Sequence, residues 1–357
     1  MNPEPIAWDL AEKIAVRLSS IDPFSASYHS HSLLPDFTEL TEEAEALVAA
    51  ETGLVSASGP ARVRVVDRAG WIRANVASFR RLLAPLSDRM AERASAGLLG
   101  GRASRAIAGA ELGGLLSWMS GRVLGQYDLL VIDDESAGDQ DIVYYVGPNI
   151  LALEKRFAFP PREFRLWLAL HEVTHRAQFT GVPWLRPHFL GLVEAGLSPI
   201  QADLSQMRAA MQRTIEAVRS GDNPFHDGGL AALIASPEQR EVLDQIGGMM
   251  SLLEGHGDVT MDRAGAARIP SADRFSRTLR QRRESVSGAV GFIQKVIGLE
   301  AKMAQYVLGE QFVHSVERAG GTELLNRAWH GAEWLPSMTE IRKPSLWIER
   351  VQSAQAI

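Results

Sequence analysis

Five consecutive residues, His171-Glu172-Val173-Thr174-His175, hold two imidazoles and a carboxylate at a spacing that suits metal-assisted hydrolysis. On an α-helix, residues four apart lie one turn above each other, so His171 and His175 can offer two nitrogen atoms to one metal ion. Glu172 follows the first histidine, where it can reach a water at that ion as general base. The metal this pattern implies is zinc, Zn2+. The plainer alternative is a helix with two satisfied core histidines, although burying such a pair without partners or a metal is costly.

The flanks predict the helix that this chemistry needs. Pro160 and Pro161 suit a helix entry, because proline has no N–H to lose there and its φ is already helical. Glu163 places a carboxylate in the first turn, where the helix dipole favours it. Phe164, Leu168, His171, His175 and Phe179 recur at spacings of three and four, so the histidines share the apolar, inward stripe. Gly181 and Pro183 end the run.

Two histidines are one ligand short of a catalytic zinc site, which takes three protein ligands and keeps a fourth position open. The preferred third ligand is Glu254, in Met249 to Asp262. Asp258 lies four residues on, so one carboxylate of a second helix can bind metal while the other orients a histidine N–H. His256, between them, is an alternative ligand or a donor to the transition-state oxyanion. The rival third ligand is Glu194, nineteen residues after His175, with no further polar company.

Around this site the chain reads as mainly helical. Residues 4–19 and 38–50 have helical periodicity, separated by a polar loop with Ser25, Ser27, His29 and His31, whose histidines fit surface positions. Asp67 is an N-cap for a helix ending at or before Pro85. The glycines of residues 94–118, among them Gly97, Gly100, Gly101, Gly109, Gly113 and Gly114, form no nucleotide loop and read as close helix packing.

The period then changes. Tyr127 to Ile132 and Ile142 to Val146 are short, β-branched and aromatic, with an acidic loop between them, and predict two strands, which could pair as a hairpin. An edge strand beside a metal site could bind an extended peptide; a small sheet that only covers the core is the alternative. Further helices are expected from His188 to Ser220 and from Pro237 towards Met250, joined by a turn-rich link at residues 221–229. Arg277, Arg280, Arg282 and Arg283 could hold an anion or form a solvated helix face. Helix continues to about Arg327, before an irregular tail with Trp329, Trp334 and Trp347 packed on the body.

Composition narrows the function classes. The 357 residues, 46% hydrophobic and 22% charged, are ordinary for a globular protein of one or two domains. A formal net charge of -6 argues against general binding to nucleic acid or an anionic membrane. With no cysteine, disulfides and thiolate ligands are excluded, and metal must be held by nitrogen and oxygen. No segment reads as a signal peptide or membrane span, so a cytoplasmic location is expected.

Several of these stretches share a resemblance. Leu170 to His175, Gln178-Phe179, Val182 to Leu185, Leu253-Glu254-Gly255-His256, Leu124 to Asp128, Gln305-Tyr306 and Leu335-Pro336 to Trp347-Ile348 resemble a zincin-like metallopeptidase family of actinobacteria and Chloroflexi. Its members are labelled hydrolases associated with deazaflavin cofactor biosynthesis. The resemblance implies an α+β, mostly helical zincin-like fold, zinc on His171 and His175, and Glu172 as base. It carries over Glu254 as third ligand, and suggests Tyr306 or His314 as an oxyanion donor, where a buried tyrosine with one hydrogen bond is the alternative. The expected organisation is a helical region, residues 1–120, followed by a catalytic region, residues 121–357. The expected substrate is a peptide or a small amide; a non-catalytic zinc protein is the rival reading.

Overall fold

In the computed structural model, residues 4, 6–19, 24, 27, 29–84, 102–129, 141–196, 237–284 and 299–355 are described. The chain separates into two units, Met1–Gly181 with Met261–Phe275, and Val182–Thr260 with Ser276–Ile357. The described residues are mostly helical with one three-stranded sheet. No helix among them is long and apolar enough to cross a membrane.

The first unit comprises α1 (Trp8–Leu18), α2 (Ser30–Thr52), β1 (Arg62–Val66), α3 (Arg68–Leu82), α4 (Arg102–Ser120), β2 (Gly125–Tyr127), β3 (Ile142–Val146), α5 (Gly147–Phe157) and α6 (Pro161–Gly181). Every residue of β3 is buried, as a continuous apolar run without alternation requires, and β3 is the central strand. β1 pairs with it in parallel, Arg62 opposite Ile142, and β2 pairs antiparallel, Gly125 opposite Tyr145. The antiparallel partner lies earlier than the expected Tyr127 to Ile132, whose residues 130–132 fall outside the described residues. β1 is an addition: Arg62 and Arg64 on its outer face hid a period-two strand.

Local chemistry sets the helix boundaries. Asp67 accepts a hydrogen bond from the Gly70 N–H at 2.6 Å and starts α3, which stops at Leu82, before Pro85. Gly109 and Gly113 of α4 lie against α1, where an added Cβ would come within 2.6 Å of the Ala7 carbonyl and 2.7 Å of the Ala11 carbonyl. Close packing is therefore what these two glycines do. Gly97, Gly100 and Gly101 lie outside the described residues. Trp8, Ala15, Trp71, Ile72, Val76, Leu116 and Val146 close a core over one side of the sheet.

α6 is buried along most of its length, including every residue from Phe164 to Leu170. Two arginines cross that burial with their charges satisfied. Arg165 meets Glu154 through two hydrogen bonds of 2.7 and 2.9 Å and also pairs with Asp36. Glu163, in the first turn, accepts the Ser271 N–H at 2.9 Å.

The second unit carries α7 (Leu185–Gly196), most of α8 (Pro237–Gly265), most of α9 (Ala272–Glu284), α10 (Leu299–Asn326), two 3-10 turns at Arg327–Trp329 and Ala332–Trp334, α11 (Met338–Arg342) and α12 (Pro344–Gln355). The expected helix beyond Gly196 to Ser220 and the link at residues 221–229 lie outside the described residues. The tail is more regular than expected. Ser337 and Glu340 form a capping box, Trp347 is fully buried with its indole N–H on the Trp334 carbonyl, and Arg350 binds the Glu340 carboxylate.

Glycines also set how α8 meets α10. A Cβ on Gly309 would overlap the Ser251 carbonyl, and one on Gly255 would overlap the backbone of Gly309 and Glu310. Helix backbones in contact leave no space for side chains, so overpacking is the expected result of any substitution. Gly309→Ala should cost about 1–3 kcal/mol in urea unfolding. Gly191→Ala on α7, where nothing lies within 4 Å, should be neutral or slightly stabilising, because alanine favours helix. Equal effects at the two positions would remove the packing explanation.

Candidate metal centre

His171 and His175 sit one turn apart on α6, both half-buried, with ring centroids 4.7 Å apart and ring planes at 85°. The Nδ1 atom of His175 is 3.0 Å from Oε1 of Gln178, which is itself fully buried. Glu172, buried between them in sequence, accepts the Tyr127 backbone N–H at 3.0 Å on Oε2.

β2 shapes the space around Glu172. A Cβ on Gly125 would lie 2.7 Å from both Cγ and Oε1 of Glu172, so only glycine leaves the carboxylate in place. Two residues on, the Tyr127 ring stacks on Phe179 of α6 at 6.5 Å. β2 is an edge strand, and its Tyr127 N–H is turned to Glu172. On β3, burial raises the Tyr145 phenol well above its ordinary pKa; its bond to Thr41 opposes this, and the Glu172 charge adds to it. Tyr145 is therefore a neutral neighbour.

α8 carries Glu254 and His256, both buried, and a half-buried Asp258. Glu254 is the carboxylate that, with His171 and His175 of α6, makes up the candidate donor set. Glu194 is exposed on α7, and the His256 ring lies edge-on to Trp329 at 5.1 Å. Two imidazoles and one carboxylate, in a chain without cysteine, are a donor set that fits a zinc ion with an open coordination position.

The remaining sequence candidates are His314, Tyr306, the arginines of residues 277–283, His29 and His31. His314 is on α10 beside Glu310 and Glu317, at 3.8 and 4.0 Å, with a side chain 47% exposed. The side chain of Tyr306, also on α10, lies outside the described residues, as do those of Arg280, Arg282 and Arg283; Arg277 is exposed. His29 precedes α2, and His31 is in its first turn. Three features were not foreseen: Gln178 against His175, the Tyr127 N–H on Glu172, and Gly125 beside it. Only Gln178 had a signal, its spacing of three from His175 on a helix.

The family model described as zincin-like metallopeptidase matches residues 6–348. The chain is also similar to a solved protein from Chloroflexus aurantiacus, described as "a putative hydrolase with a novel fold". The two share 30% identity over 97% of this chain and 99% of that one, with a TM-score of 0.68. No curated protein matches the chain. The match along nearly the whole sequence places this chain in the zincin-like metallopeptidase family.

Proposed function

We propose that this protein is a zinc-dependent hydrolase of amide bonds, with peptides as its substrate class. The observation that carries this reading is the pair His171 and His175, one turn apart on α6 with ring centroids 4.7 Å apart, and Glu172 between them in sequence with its carboxylate held by the Tyr127 N–H. His171, His175 and Glu254 would hold the ion. When bound, zinc supplies Lewis acidity that polarises the scissile carbonyl and acidifies the attacking water.

The chain's own residues do the proton work. Glu172, its carboxylate oriented by the Tyr127 N–H, accepts the proton of the attacking water and returns it to the leaving nitrogen. His256 and Tyr306 are the proposed donors to the oxyanion. The resembling family's association with deazaflavin biosynthesis puts small amides of cofactor metabolism in the same substrate screen as peptides.

Metal content by elemental mass spectrometry tests the reading. Protein purified without chelators and given zinc should hold about one zinc per chain, as should Glu194→Ala, while His175→Ala and Glu254→Ala should hold almost none. Wild type that takes up no zinc would sink the proposal.

A further inference from the structure

The sequence made Asp258 a candidate for orienting a histidine; at His175 a contact comes from α6 itself. Gln178, one turn further along, is fully buried and places Oε1 at 3.0 Å from His175 Nδ1. We infer that Gln178 is a positioning residue for the metal centre: its amide oxygen holds the proton on His175 Nδ1 and so makes Nε2 the metal-binding atom. This inference rests on the zinc site proposed above.

The argument is one of donors and acceptors. A neutral imidazole has one N–H and one lone pair, and the nitrogen that carries the proton cannot bind metal. An amide oxygen only accepts, so Nδ1 facing it must carry the proton, leaving the lone pair on Nε2. Turning the amide over would reverse the roles and put the proton on Nε2. The orientation of a buried, neutral side chain therefore decides whether His175 is ready to bind.

A glutamine differs from a carboxylate in this position. Carboxylate partners make a ligating histidine more basic and tighten metal binding. A neutral amide fixes the tautomer while adding no negative charge, which leaves more of the positive charge of the bound ion to act on a substrate carbonyl. The residue type thus favours electrophilic power over affinity.

The test uses the full chain and zinc alone. Zinc affinity would be measured by competition with a chromogenic chelator for wild type, Gln178→Leu and Gln178→Glu, with circular dichroism of the metal-free proteins to establish folding. Gln178→Leu should weaken zinc by roughly 10- to 100-fold, whereas Gln178→Glu, which keeps an acceptor, should bind at least as tightly as wild type. Folded Gln178→Leu with wild-type affinity, or Gln178→Glu as weak as Gln178→Leu, would overturn the inference.

Nitrogen-15 NMR of the imidazoles in metal-free wild type gives a second reading that needs no variant to fold. The Nδ1–H tautomer at His175 is expected, and the Nε2–H tautomer would overturn the assignment. Wild type that binds no zinc would instead overturn the functional reading, while the tautomer measurement would still decide the role of Gln178.

Discussion

Glu172→Gln should keep its zinc and lose hydrolysis by roughly 1,000-fold, within the range that general acid–base catalysis contributes and equivalent to about 4 kcal/mol of barrier. The substitution is nearly isosteric. Its amide oxygen can still accept the Tyr127 N–H, and the added amide nitrogen replaces an oxygen already accommodated beside Gly125. What is lost is the capacity to take a proton. The measurement is kcat on an amide substrate found by screening wild type, beside metal content of both proteins. Full hydrolysis by a zinc-loaded Glu172→Gln would remove Glu172 from the mechanism. Lost zinc would point to a different fault, a disturbed helix, which is why both readouts are needed.

The parts of this protein legible in its sequence are those where local chemistry and tertiary demand agree. Pro161 and Glu163 start α6, the spacing of His171 and His175 puts both rings on one face, and Asp67 caps α3. The run Ile142 to Val146, short, β-branched and aromatic, read as a strand, and it is the buried β3. The misread parts are those where a local signal served a distant partner. The helix expected under Glu254 and Asp258 is there, as α8 from Pro237 to Gly265, but the reason for a glycine at 255 lies in a distant partner, the close contact with α10 at Gly309. Arginines hid β1, and Trp347, read as part of an irregular tail, is the buried anchor of α12. The metal group shows the same division. Its histidines come from one helix and were plain, whereas Glu254 and Glu194 could be weighed only by their neighbours in sequence; Glu254 is buried on α8 and Glu194 exposed on α7.

Arg176→Leu should cost about 3–5 kcal/mol of stability, the penalty for breaking a buried ion pair from one side. Arg176 follows His175 on α6 and is 1% exposed. Its guanidinium binds Asp141 through two nitrogens, Glu45 at 2.5 Å and the Gly59 carbonyl at 2.6 Å. Glu45 in turn accepts the Ala61 N–H at 3.1 Å, just ahead of β1, and Asp141 immediately precedes β3 with a positive φ of 57°. One side chain on α6 thus fastens α2 and the entries to two strands. Leucine would fill part of the volume but leave both carboxylates, 23% and 14% exposed, without their counter-ion. Lysine should recover only part of the loss, because a single ammonium cannot reproduce the guanidinium fork. Urea unfolding of Arg176→Leu, Asp141→Asn and the double variant separates the causes. If the uncompensated charge is responsible, the double variant should be more stable than Arg176→Leu alone; additive losses would show that packing around the arginine, and not its charge, holds the strand entries in place.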